Sequence, residues 1–134
     1  MKRRARIEKG WAAWTICLAL LCAGCSSAPV SPQPFTHVVL MWLKNPESAY
    51  DRAQLVRAAH SLQLMPGVTR VETGRTVSGL GPDVDRSFDL AVMIRFRDRS
   101  AFEGYQGDGR HRAALERFLQ PLVRHYETYN LGVR

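Results

Sequence analysis

The chain has 134 residues, 46% of them hydrophobic and 23% charged, with a formal net charge of +7, which leaves room for one compact domain with appendages and excludes a multidomain machine. Five basic residues (Lys2, Arg3, Arg4, Arg6, Lys9) and one acidic residue (Glu8) lie within the first 24 positions, leaving 14 basic against 11 acidic residues in the remainder. That is an ordinary solvated surface, not the dense basic stripe that grips phosphates, so no nucleic-acid partner is expected.

The first element is an address. Positive charge fills residues 1–10, Trp11 to Leu21 is an uncharged apolar run, and Cys22-Ala23-Gly24-Cys25 follows at once. Eleven apolar residues make a helix of about 16 Å, too short for a bilayer core that needs about 20 residues, so residues 1–24 read as a signal peptide. The small pair Ala23-Gly24 before Cys25 resembles a bacterial lipobox, although Cys22 stands where Leu is usual. That resemblance implies lipidation of Cys25, and Ser26 after it implies an outer-membrane destination facing the periplasm. Cys17 and Cys22 leave with the signal, so no disulfide framework is available, and a lipid on Cys25 would block the one remaining thiol. Residues 25–34, which include SSAPVSPQP, are too poor in apolar groups to fold and form a tether that holds the domain off the membrane.

The folded domain spans 35–134. FTHVVLMWL (Phe35 to Leu43) has strand composition with apolar residues on both alternating sets: Val38, Leu40 and Trp42 on one face, Val39, Met41 and Leu43 on the other. Asn45-Pro46-Glu47 reads as a helix start with Asn45 as cap. Leu55, Val56, Ala59 and Leu62 follow at helical spacing, and Met65-Pro66-Gly67 ends the helix. Val68 to Ser78 predicts a second strand, 79–86 a loop, and Ser87 to Phe96 a third strand. Asp98 is placed to cap a short helix through Tyr105, and Asp108 a second one through about Leu119, stopped by Pro121. Leu122 to Leu131 completes the set. The order β-α-β-β-α-β predicts a ferredoxin-like α+β domain, a four-stranded antiparallel sheet with helices on one face. The other face retains part of an apolar strand one, so a homodimer built through that sheet face as an α+β barrel is expected.

HVVLMWLK (37–44), MPGV (65–68), SFDL (87–90), Tyr105 with His111, and Tyr129-Asn130 together resemble the stress-responsive dimeric α/β-barrel (Dabb) family over about residues 35–131. The resemblance implies the same fold and dimer. It also implies a choice of function, since the family runs from stress-associated proteins without assigned chemistry to a plant polyketide cyclase that makes olivetolic acid with a Tyr and a His six residues apart. Tyr105 and His111 match that acid–base pair, and His37 matches a further pocket-side histidine. The family's His-Pro-x-His segment here reads Asp108-Gly109-Arg110-His111.

His111 falls in the first turn of a helix, where the macrodipole disfavours imidazolium, so a neutral base near pH 7 is available. Tyr105 offers a hydroxyl to a carbonyl or enolate. The bland reading is that His111 bonds a loop carbonyl and Tyr105 merely packs. Asp108 with the two histidines lacks any close-spaced ligand pattern, so neither a metal nor a cofactor is expected. Gly79-Leu80-Gly81 reads as a turn, Asp89 as the partner of a neighbouring Arg, and Trp42 and Tyr126 as core. The expected function is a non-catalytic envelope lipoprotein, stress-related or binding a small apolar or carbonyl ligand. The alternative is a cyclase-like enzyme doing acid–base chemistry on a small carbonyl compound with Tyr105, His111 and His37.

Overall fold

The computed structural model describes residues 32–132 apart from 78 and 80. The expected signal peptide, Cys25 and most of the expected tether lie outside the described residues. The strands are β1 (Phe35–Leu43), β2 (Val68–Gly74), β3 (Leu90–Phe96) and β4 (Val123–Gly132). The helices are α1 (Ala49–Ser61), α2 (Arg99–Gly107), α3 (Gly109–Ala114) and α4 (Gln120–Leu122), with a π-helical turn at Leu115–Leu119 joining the last two. The sheet order is β2-β3-β1-β4 and every neighbouring pair is antiparallel. This is the ferredoxin-like α+β plan.

The two-faced composition of β1 is used as its alternation requires. His37, Met41 and Leu43 are buried beneath the helices with Leu90, Val92, Ile94 and Phe96 of β3. Val38, Leu40 and Trp42 lie on the opposite face and stay half-buried. Trp42 is therefore not core: its ring sits 4.9 Å from His125 and 6.5 Å, edge-on, from Phe88. Tyr126 also leaves the core, 49% exposed on the edge strand β4.

Several boundaries move for local reasons. The cap of α1 is Ser48, whose hydroxyl accepts from the Asp51 N–H at 3.1 Å, while Asn45 to Ser48 closes a preceding turn. Ser48 wins because its side chain reaches an otherwise unpaired first-turn donor. β3 begins at Leu90 because Asp89 is committed to β1: its backbone N–H donates to the Met41 carbonyl and its carboxylate accepts from the Leu43 N–H at 2.8 Å. Asp89 thus closes a strand end and is not the partner of an arginine. β2 stops at Gly74, opposite Ala91, because one residue further the partner strand ends. Asp98 and Asp108 cap α2 and α3 as their sequence positions predict, accepting from Ala101 and Arg110 N–H groups at 2.8 Å each. Pro121 lies within α4 rather than beyond it. It stands in the first turn of that segment, where a proline's missing N–H is tolerated.

Gly67 has φ +78, and a Cβ added there would collide with the Ala101 side chain of α2. Its carbonyl accepts from the Arg97 N–H at 2.9 Å. The Met65-Pro66-Gly67 turn is thereby pressed between β3 and α2, which sets how closely α2 lies on the sheet.

Candidate functional site

The cavity lies between the sheet and the helices, with a volume of about 280 Å3. Its floor is the helix-facing side of β1 and β4, where the register aligns three rungs: His37 opposite Asn130, Val39 opposite Thr128, and Met41 opposite Tyr126. Its roof is α1, α2, α3 and the π turn, which supply Leu55, Tyr105, His111 and Phe118. Extra-wide helical turns recur at functional sites because they redirect side chains by one position, and here the turn brings Leu115, Phe118 and Leu119 to the same wall.

Polar groups gather at one end. His37 is 8% exposed and its Nδ1 lies 2.7 Å from Asn130 Oδ1. The amide oxygen can only accept, so Nδ1 carries the proton and Nε2 of the neutral ring is left as an acceptor. Tyr105 is 4% exposed, with ring centroids 5.0 Å from Phe96, 6.5 Å from His37 and 4.3 Å from His111. The three residues read from the sequence as Tyr105, His111 and His37 do meet, and Asn130 joins them. Asn130 stood out in the sequence only as part of the Tyr129-Asn130 pair. Its role required the β1–β4 register, which alternation alone cannot supply.

Every titratable group of this cluster is pushed toward its neutral form. Burial lowers the His37 pKa below the usual imidazole value, and the bond to Asn130 offsets only part of that shift. Burial likewise lowers His111, with the nearby His37 adding to it and the Gln106 carbonyl and Asp108 opposing. Burial is thus the leading cause that favours the neutral His111 imidazole. Burial alone pushes the Tyr105 hydroxyl up to about 12. Asp108 is held by Arg110 Nη2 at 2.7 Å and Nε at 3.1 Å, and its carboxyl is lowered to about 2. Among the described residues, no group of three His, Cys, Asp or Glu side chains is placed to hold a metal ion.

The arrangement offers a hydroxyl donor, an imidazole acceptor and a second neutral imidazole at one end of a mostly apolar cleft. That set can orient a small polar group, and it can also shuttle a proton.

The family model described as the stress responsive A/B barrel domain matches residues 35–129. No curated protein matches the chain. A Dabb-family protein with a ferredoxin-like fold from Mesorhizobium loti superposes with a TM-score of 0.64 at 21% identity, covering 76% of this chain and 98% of the other. A dimeric ferredoxin-like protein of unknown function from Thermobifida fusca gives 0.61 at 20% identity, over 76% and 92%. A hydroxynitrile lyase from Passiflora edulis gives 0.64 at 20% identity, over 77% and 95%. At these identities the likeness establishes the fold.

Proposed function

The chain belongs to the stress-responsive A/B barrel domain family, and from that premise we propose that it is a lipid-anchored, dimeric envelope protein whose domain holds a small, largely apolar molecule in the helix–sheet cavity. The observation that carries the ligand reading is the convergence of His37, Tyr105, His111 and Asn130 at one end of a mostly apolar cleft. A cavity lined mainly by apolar side chains with a few convergent polar groups is the usual form of a small-molecule site. A stress-related role rests on the family description.

The other parts of the proposal have separate supports. Cys25, behind Ala23-Gly24 and a short apolar run, supports the lipid anchor and the envelope location. The half-buried face bearing Val38, Leu40, Trp42 and Met93 supports a dimer through the sheet, and the similar Thermobifida fusca protein is dimeric.

Native mass spectrometry of the full chain tests the ligand reading. A small extra mass lost on denaturation is expected, and Ala58→Phe, which fills the cavity wall, should reduce it. Equal occupancy in that variant would place the ligand elsewhere.

A second reading, acid–base catalysis, is favoured by one observation: Tyr105 and His111 lie with ring centroids 4.3 Å apart while burial holds the imidazole neutral. The fold is shared with an enzyme, the Passiflora edulis lyase. Protein-dependent deuterium uptake at the α-carbons of 2-heptanone in D2O, lost in Tyr105→Phe and His111→Ala, would support it. Uptake at the buffer rate would exclude it for this ketone.

A further inference from the structure

Resting on the reading of the cavity as a ligand site, we infer that the molecule it takes is an alcohol or phenol. The ligand is uncharged and has about ten non-hydrogen atoms. Its hydroxyl donates to His37 Nε2 and accepts from the Tyr105 hydroxyl, with its tail running along Val39 and Met41 beneath Leu55 and Phe118.

Charge narrows the class first. Among the described residues, none that line the cavity is Asp, Glu, Lys or Arg, and both lining histidines are shifted toward neutrality. A carboxylate or ammonium would enter without a counterion, and an unpaired buried charge is strongly disfavoured. The ligand class is therefore neutral.

Hydrogen-bond bookkeeping narrows it again. The proton on His37 Nδ1 is taken by Asn130 Oδ1 at 2.7 Å, so the other ring nitrogen faces a ligand as an acceptor and calls for a donor. Tyr105 stands on α2 with its ring centroid 6.5 Å from that of His37. A ligand oxygen held between the two rings would accept from the phenol and donate to the imidazole. An alcohol does both. A ketone, ester or nitrile can only accept, and it would leave the His37 acceptor buried and unpaired.

Size and polarity set the tail. The three rungs from His37–Asn130 through Val39–Thr128 to Met41–Tyr126 run for about 13 Å at about 3.3 Å per residue, and polarity on the β1 side falls from imidazole to aliphatic along them. A cavity of about 280 Å3 accommodates on the order of ten heavy atoms, taking about 30 Å3 for each as for liquid water. A hydroxyl with a chain of six to eight carbons, or a short-chain alkylphenol, matches both dimensions.

The test is calorimetric titration of the full-length chain at pH 7 with 1-heptanol, 2-heptanone and sodium heptanoate, which share chain length and differ in head group. Heptanol should bind at least tenfold more tightly than heptanone, and heptanoate should bind more weakly than either. In Asn130→Leu the imidazole tautomer is no longer held, so Nε2 can carry the proton and donate to a carbonyl; the alcohol preference should shrink because heptanone binding improves. A misfolded variant would weaken all three together and would not show that gain. His37→Phe should erase the preference while keeping heptanone binding. If heptanone or heptanoate binds as tightly as heptanol to the unmodified chain, the alcohol assignment is wrong and the cavity reading stands. If none of the three binds, both fall.

Discussion

Tyr105 and His111 sit on different helices, yet their rings lie 4.3 Å apart at an interplanar angle of 34°. The break at Asp108, whose backbone N–H donates to the Tyr105 carbonyl at the end of α2 and whose side chain caps α3, makes this possible. In an unbroken helix, six residues are 1.67 turns, which would put the two side chains on divergent faces. The pair is therefore a product of the turn between the helices.

That relationship separates the roles of the Tyr105 ring and its hydroxyl. Tyr105→Phe keeps the packing against Phe96 and His111, so urea denaturation should show a change in stability within about 1 kcal/mol. Binding of 1-heptanol should weaken about tenfold. Tyr105→Ala should cost about 3–5 kcal/mol, the range for truncating a buried aromatic side chain. A Phe variant as unstable as the Ala variant would mean that the hydroxyl is structural.

Acid should destabilise the domain in a defined window. His37 and His111 have pKa values lowered by folding, so as pH falls below about 6.5 the unfolded chain takes up protons first and stability drops until the lowered values are passed. Below about pH 4 the Asp108 carboxyl, held near 2 by Arg110, adds a second loss of the same sign. Stability at pH 5.5 should be lower than at pH 7.5, and the difference should narrow in His37→Phe. Equal stability at the two pH values would contradict the burial of both rings.

Gly67→Ala should be strongly destabilising, by about 2–4 kcal/mol in chemical denaturation. The position has φ +78, and the added methyl would meet the Ala101 side chain, so backbone strain and overpacking act together. Reducing the opposing volume with Ala101→Gly should recover part of the loss. If the single substitution is neutral, the close approach of this turn to α2 is wrong.

The proposed dimer is best probed at Leu40, at the centre of the outer sheet face opposite Ala91 and Glu127. Leu40→Asp places a charge in the apolar stripe without touching the cavity. Light scattering should show the mass halving at micromolar concentration, with the far-ultraviolet dichroism unchanged. A variant that stays dimeric would move the interface off this face.

Cys25→Ser tests the anchor. The substitution should abolish incorporation of labelled fatty acid and remove the mature form from the membrane fraction of the bacterial host. Persistent lipid label would exclude Cys25 as the acceptor.

Much of this was legible in the one-dimensional pattern. The apolar alternation of 35–43, the capping aspartates at 98 and 108, and the Met65-Pro66-Gly67 stop are consequences of spacing within a few residues. They suffice for the order of elements and, with it, the ferredoxin-like plan. The misplacements are equally local in origin. Asn45 and Ser48 are both competent caps, and the choice between them depends on which side chain reaches the first-turn N–H. Asp89 carries an ordinary strand-flanking signal, and nothing near it in the chain reveals that it closes the far end of β1.

The sequence alone determined which residues could carry chemistry, because side-chain type and helix or strand periodicity are set by nearest neighbours along the chain. Which of them meet depends on contacts between distant parts of the chain. His37 and Asn130 are 93 residues apart and become partners through the β1–β4 register, which turns a histidine of either tautomer into one with a single remaining acceptor. The shift of both imidazoles and of the phenol toward neutrality is likewise a property of the packed tertiary structure, since desolvation depends on what packs around a group and not on what precedes or follows it in the chain.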